Sequence, residues 1–297
     1  MIIFRAGLTG CLAAVINNEA IIQDSDSEPT FHKAVLRFRS DAISQVTGIP
    51  FQKIKVSKAV YSYGKFVEWS PLLANQYSKK VIDGIYDRSI DSLEPVIRWL
   101  APENFHEQLL HRIGDRVHWD EEYDVHSSRT KISTLPMPKI LELLGEVEDA
   151  GLRTNFNSIH VTTYRVLSNC DVHQTIYIPD PDDPVYRATL EGDKIIIESR
   201  GELDSIEHDS LPYELFSLAH DEVELVEENY TQNIGKIAPI NDIARKEIVF
   251  RLTDNHGIYS LGRTAIWKNI LLDDCLRDIQ RINTMIKTPP YERALGK

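Results

Sequence analysis

The chain has 297 residues, enough for one large or two medium domains with real cores, and its 42% hydrophobic and 26% charged content is ordinary for a globular protein. No apolar run approaches the ~20 residues of a bilayer span, which argues against a membrane protein. A formal net charge of −12 argues against a protein that tracks nucleic-acid phosphates, since such proteins need a basic face.

Cys11, Cys170 and Cys275 are isolated, with neither metal-ligand spacing nor an even framework. The expectation is a cytoplasmic protein with no metal site and, because the chain opens directly on a strand, no secretory leader.

In chain order, Ile2-Ile3-Phe4 reads as a buried parallel strand that runs through a Gly-containing turn into a helix over about 8–17. Ala20-Ile21-Ile22-Gln23 is a second short strand ending at Asp24. Residues 25–40 look irregular, and 41–46 form a short helix stopped by Gly48. Alternation over 51–69 around Tyr63-Gly64-Lys65 predicts a β-hairpin, followed by helices over about 71–83 and 103–113. Strands are expected at 116–119 and 131–134, with a helix through Leu144.

From 156 to 199 the chain turns strongly β: 158–167, 173–178, 185–190 and 194–199, joined by turn-forming Asp-Pro and Gly-Asp stretches. Contiguous strands with short turns should pair antiparallel. A strand over 222–234, a helix near 241–250, a strand at 257–260 and a long helix from about 264 to 286 complete the reading. The result is an α/β chain, a Rossmann-like dinucleotide-binding layer with an inserted antiparallel sheet. The binding domain is assigned to 1–48, 96–150 and 236–297, and a substrate or cap domain to 49–95 and 151–235.

The chemistry sits at the two ends. The opening strand–turn–helix has the form of a dinucleotide site, where glycines let the backbone approach a pyrophosphate held on a helix N-terminus. In G-x-G-x-x-G the first glycine belongs at residue 5, and this chain has Arg5 there, with Gly7 and Gly10 following. A non-glycine residue held at positive φ costs roughly 1–2 kcal/mol. Three consequences stay open: the arginine folds aside, it pairs with the diphosphate, or the site has lost its cofactor. Asp24, or Gln23 beside it, stands where such folds keep a group for the ribose hydroxyls. At the other end, Tyr259-Ser260-Leu261-Gly262-Arg263 joins a strand to the predicted last helix.

Taken together, the 2–14 segment, Ile132-Ser133-Thr134-Leu135-Pro136 and Tyr259–Arg263 resemble FAD-dependent oxidoreductases, nearest the group of UDP-galactopyranose mutases and amine-oxidase-like flavoproteins. The resemblance covers about the first 45 residues, 115–145 and 236–290, and compact chains of this kind are also similar to flavoproteins of tailed phages, which implies a host cytoplasm. It implies that Gly7, Leu8 and Gly10 contact the FAD diphosphate and that Asp24 or Gln23 holds the adenosine ribose. Val117 would meet the adenine, and Arg37 and Arg39 would lie near the pyrophosphate. Ser133, Thr134, Gly262 and Arg263 would approach the flavin.

The chain shows no nucleophile elbow, zinc cluster or Walker lysine. His160, Tyr164, His173 and Tyr177 on the predicted central sheet are the candidate substrate contacts, with His32 a weaker one. The expected function is a flavin-dependent oxidoreductase acting on a small polar or amine-bearing molecule. Its alternatives are a degenerate, non-catalytic nucleotide-binding scaffold and a flavoenzyme of nucleotide or modified-base metabolism. NAD is the competing dinucleotide.

Overall fold

The computed structural model describes residues 1–85, 90, 92–146, 156–167, 171–201, 203 and 205–288. Its first half runs β1 (Ile2–Phe4), α1 (Leu8–Ile16), β2 (Ile21–Gln23), β3 (Arg37–Phe38), α2 (Ala42–Thr47), β4 (Gln52–Ser62), β5 (Lys65–Val67), α3 (Pro71–Ile82), β6 (Val96–Leu100), α4 (Phe105–Ile113), β7 (Val117–His118), β8 (Lys131–Ser133) and α5 (Met137–Leu143). The second half runs β9 (Phe156–Val166), β10 (His173–Tyr177), β11 (Val185–Glu191), β12 (Lys194–Ser199), α6 (Ser205–Phe216), β13 (Val223–Ile237), α7 (Asp242–His256), β14 (Ile258–Ser260) and α8 (Leu272–Lys287). Two compact units divide the chain: Met1–Lys53, Arg98–Arg153 and Ile240–Lys297 form one, and Ile54–Ile97 with Thr154–Pro239 the other. Among the described residues no helix is long and apolar enough to cross a membrane.

In the first unit five strands pair in the order β14-β8-β1-β2-β7, every pair parallel. Counted along the chain, these strands lie 3-2-1-4-5, so the direction of winding reverses between β1 and β8. In open α/β sheets ligands bind beyond the carboxyl ends of the strands at such a reversal. The strands are short and apolar because parallel sheets are covered on both faces. Ile3, Ile22, Ile132 and Tyr259 share one core cluster with Cys11, Leu12, Ala13 and Ala14 of α1, Phe105 and Leu109 of α4, and Leu276 and Ile279 of α8. The small residues of α1 allow that helix to lie close on the sheet. The irregular 25–40 stretch contains β3, which pairs antiparallel with β6 through Arg37↔Leu100 and Phe38↔Trp99.

The second unit is one sheet in the order β13-β9-β12-β11-β10-β4, with β5 completing the expected hairpin on β4. From β13 to β10 the neighbours are antiparallel. The sheet as a whole is mixed, which corrects the wholly antiparallel expectation: β4 pairs parallel with β10, His173 opposite Val56. A parallel neighbour needs a long crossover, and the chain between β4 and β10 supplies one.

A second correction concerns the last helix. Residues 261–271 are turns, with Gly262 at φ +93° and Trp267 at φ +51°, so α8 begins only at Leu272. The left-handed backbone at Trp267 breaks any helix that would start at 264.

Candidate nucleotide-binding site

The site is built where β1 turns into α1. Arg5 stands at φ +77°, the left-handed region that glycine enters without steric cost. A Cβ on Gly10 would lie 2.1 Å from the Arg5 carbonyl oxygen, so glycine alone lets strand end and helix approach this closely. Gly7 caps α1 with no side-chain hydrogen bond, and the first turn holds no acidic residue. Among the described residues the N–H groups of Gly7, Leu8, Thr9 and Gly10 find no acceptor, and a Cβ on Gly7 would meet nothing within 4 Å. Free donors, the positive end of a helix dipole and open space in front of them suit a bound anion. The Arg5 guanidinium likewise has no hydrogen-bonding or ionic partner among the described residues.

Three side chains clamp the turn at Ala6. Its N–H donates to Asp24 Oδ2 (2.7 Å), and its carbonyl accepts from His106 Nε2 (2.8 Å) and from the Cys11 thiol (3.0 Å). His106 Nδ1 accepts the His32 backbone N–H at 3.2 Å, which leaves the proton on Nε2. Burial holds the His106 imidazole below its ordinary pKa, against the opposing pull of the Ala6 carbonyl and Glu107. His32 is pushed down to about 4 by burial, by His106 and by Arg263. Burial, reinforced by Asp24, drives the Cys11 thiol far up. With neutral imidazoles and a protonated thiol, this group holds the backbone and is not a general acid–base pair.

The segment after β14 meets the same turn. A Cβ on Gly262 would be 3.0 Å from Thr9 Cγ2 and 3.2 Å from its hydroxyl. Between them the end of β8 is tied to β1, since the Thr134 hydroxyl donates to Phe4 O at 2.8 Å. Ser133 and Ser260, opposite each other across β8 and β14, keep buried hydroxyls without a partner among the described residues. At the other side of the unit is an open, mainly apolar cleft of about 560 Å³, lined by Pro29, Phe31, Leu110, Val117 and Trp119 among others. The Phe31 ring stands edge-on to His106 at 5.9 Å, which links cleft and turn.

No protein-family model matches this chain. No curated protein matches it either. Solved structures do. A candidate FAD-containing monooxygenase from Photorhabdus luminescens subsp. laumondii superposes with a TM-score of 0.50 at 11% identity, over 96% of this chain and 88% of its own. The PF1083 protein of Pyrococcus furiosus gives 0.50 at 10%, over 88% and 90%. RebC, solved with bound 7-carboxy-K252c, gives 0.49 at 12%; the match covers 89% of this chain and spans only 54% of RebC. The likeness is one of fold.

The structure therefore brings Gly7, Leu8, Gly10, Thr134, Gly262 and the orphaned Ser133 to one sheet edge. It treats other expected residues differently. Both Asp24 oxygens are engaged, Oδ2 by Ala6 and Oδ1 by the Asp26 N–H and the Tyr123 hydroxyl, each at 3.2 Å. Gln23 accepts the Asp124 N–H through Oε1. Arg39 bonds Asp273 through its backbone and Asp274 through its guanidinium. Asp274 also accepts the Leu271 N–H, so the α8 N-terminus is closed by acids of the chain itself. This corrects the expectation of a helix N-terminus open beside Gly262. Arg37 lies in β3, Val117 lines the cleft, and Arg263 lies near His32.

The four candidate substrate residues do not share a face. Cross-strand pairing puts Tyr164 on the side of Ile195 and Leu190, and Tyr177 on the side of Arg187, Glu198 and Val161. Tyr164 is buried in one core cluster, and Tyr177 packs against Tyr77 at 5.2 Å in another. His160 meets the Thr231 hydroxyl, and buried His173 lies 2.6 Å from Glu191. Sequence reasoning missed the buried Tyr186–Glu198–Arg187 network on the β11–β12 pair. Its only trace was charge at inward positions of apolar strands. It missed His106 as well, a histidine on the buried face of an amphipathic helix. Among the described residues no cluster of His, Cys, Asp or Glu fits a metal ion.

Proposed function

We propose that this chain binds FAD at the β1–α1 turn of a Rossmann-like unit and works as a flavin-dependent oxidoreductase on a small polar or amine-bearing substrate, in the cytoplasm. The observation that carries the reading is the uncapped α1 N-terminus. Its four N–H groups have no acceptor among the described residues, it has open space before Gly7, and Gly10 provides the close helix–strand approach. The shared fold of a candidate FAD-containing monooxygenase supports it.

In this reading the Gly7–Gly10 N–H groups receive the diphosphate. The apolar cleft beside Val117, Phe31 and Trp119 takes the adenine. With Asp24 already satisfied, the Gln23 amide nitrogen is the group left to meet the ribose. Ser133, Ser260 and Arg263 lie on the flavin side. Bound FAD would supply hydride or electron transfer at its ring; the residues of this chain bind, orient and exclude water.

The motifs at 132–136 and 259–263 favour a place near UDP-galactopyranose mutases and amine-oxidase-like flavoproteins, whereas the Photorhabdus protein carries a monooxygenase name. Amine oxidation and hydroxylation are accordingly the two activities to assay. The purified protein should absorb near ~450 nm and take up FAD in preference to NAD. A colourless protein that binds neither would leave the degenerate scaffold.

A further inference from the structure

The Ala6 clamp shows a role for a residue that no cofactor motif points to. His106 reaches the turn from α4, far from β1 in the chain, and makes one hydrogen bond with each ring nitrogen: Nδ1 accepts from the His32 backbone, and Nε2 donates to the Ala6 carbonyl. Its ring makes a T-shaped contact with Phe31 on the cleft wall. Ala6 is the residue before the helix cap, so the direction of its carbonyl sets the direction of the next peptide N–H groups, beginning with Gly7. We infer that His106 is the positioning residue of the nucleotide site, holding the turn through Ala6 and the cleft wall through Phe31 in one rigid piece. This inference rests on the reading of turn and cleft as the FAD site.

The arrangement has a built-in response to acid. Facing the imidazole are the Ala6 carbonyl and the Cys11 thiol from the opening segment, with Asp24 behind them, and His32 from the 29–36 segment, with Arg263 near it. Glu107 lies on its own helix. A proton added to Nδ1 would oppose the His32 N–H donor with a second donor and break that bond. The Ala6 bond survives, but the ring loses its anchor, so the turn loosens as pH falls below the ordinary imidazole range.

The test uses the full chain, with His106→Leu, which removes the donor, and His106→Gln, whose amide N–H replaces it. FAD affinity is read by quenching of flavin fluorescence, and amide hydrogen exchange of Arg5, Ala6 and Cys11, whose N–H groups are bonded to Gln23 O, Asp24 Oδ2 and Gly7 O, is read without FAD. The Leu variant should bind FAD up to about tenfold more weakly, as expected for a buried carbonyl left with only the weak thiol donor of Cys11, and exchange faster at those amides. Gln should restore most of both. The wild-type protein should lose FAD affinity only as pH falls below the ordinary imidazole value of about 6.5, because burial holds His106 beneath it, and His106→Leu should not show that step. Wild-type exchange and affinity in the Leu variant would overturn the inference. If the Leu variant does not fold, nitrogen NMR of His106 in the wild-type protein decides: a proton on Nε2 supports it, and one on Nδ1 overturns it. If the wild-type protein binds no FAD, the cofactor reading falls, and hydrogen exchange and the tautomer still decide the role of His106.

Discussion

Replacing Arg5 by glycine separates two effects that the structure superimposes. At φ +77° an arginine backbone carries roughly 1–2 kcal/mol of strain. Glycine removes it, at an entropic cost of roughly 0.5–1 kcal/mol to the folded state. The net gain in stability is about 0.5–1 kcal/mol, a rise of about 1–2 °C in Tm for a chain of this length. The strain is present with and without ligand, so its release should not by itself change affinity. The side chain should. A guanidinium of the same sign as the helix N-terminus would itself attract the diphosphate, so the expected gain rests on the bulk of the Arg5 side chain, which has no partner among the described residues to hold it clear of the open space before Gly7. Arg5→Gly should therefore tighten FAD about two- to fivefold, read by flavin fluorescence titration and by the 450 nm band retained through purification, about where flavins absorb. Arg5→Ala should tighten binding similarly without the gain in Tm, because alanine keeps the backbone strain. Equal or weaker retention of flavin in Arg5→Gly would refute the argument and point to the guanidinium as a diphosphate ligand. An unchanged Tm would show that the turn relaxes without cost.

Other outcomes follow from the same geometry. Gly10→Ala drives a methyl group onto the Arg5 carbonyl oxygen, so the backbone must move; the cost should be at least about 2–3 kcal/mol in urea unfolding, and a neutral result would mean the approach is looser than 2.1 Å. Glu198→Gln should cost about 2 kcal/mol. Burial raises the Glu198 carboxyl and Arg187 outweighs it, holding the pKa below the ordinary range; the loss stays under the ~3–5 kcal/mol of a fully buried pair because Arg187 remains about one-third exposed. The contribution of Glu198 is present above its unfolded pKa and fades as pH falls through the folded one, so the variant and wild type should converge in strong acid. His32, neutral in the fold down to about 4, should cost stability as pH falls from about 6.5 toward that value, because the unfolded chain takes up the proton first. His32→Gln should flatten that part of the urea-midpoint profile, and an unchanged slope would exclude the histidine.

Local patterning made the elements with strong punctuation readable. The apolar triplet 2–4, the Gly48 stop and the Tyr63–Gly64 turn each obey a rule that acts over a few residues, and each element stands close to where it was expected. The strands of 156–199 were readable for the same reason. Placement that depends on distant partners was not. Nothing near residue 52 says that β4 will run parallel to β10. The late Gly262–Arg263 pair reads like a helix start until Trp267 is seen to turn, and the true cap lies at Leu271, with Asp274 reaching back to its N–H. At the site, the glycines were legible because close approach permits only one residue type. Asp24 was visible as an acid at a strand end, but its saturation takes Ala6 of the opening turn, Asp26 beside it and Tyr123 from a loop about a hundred residues away.

Thr9 and Gly262 touch although nearly the whole chain separates them, and β14 can join β8 only after everything between has been made. Such a pocket cannot be assembled progressively during synthesis. A ribosome-bound chain that stops short of Ile258 carries the N–H groups of α1 but lacks their opposite wall. Whatever the turn receives, it should be captured only once β14 has been made, and C-terminal truncations ending before β14 should lose it altogether.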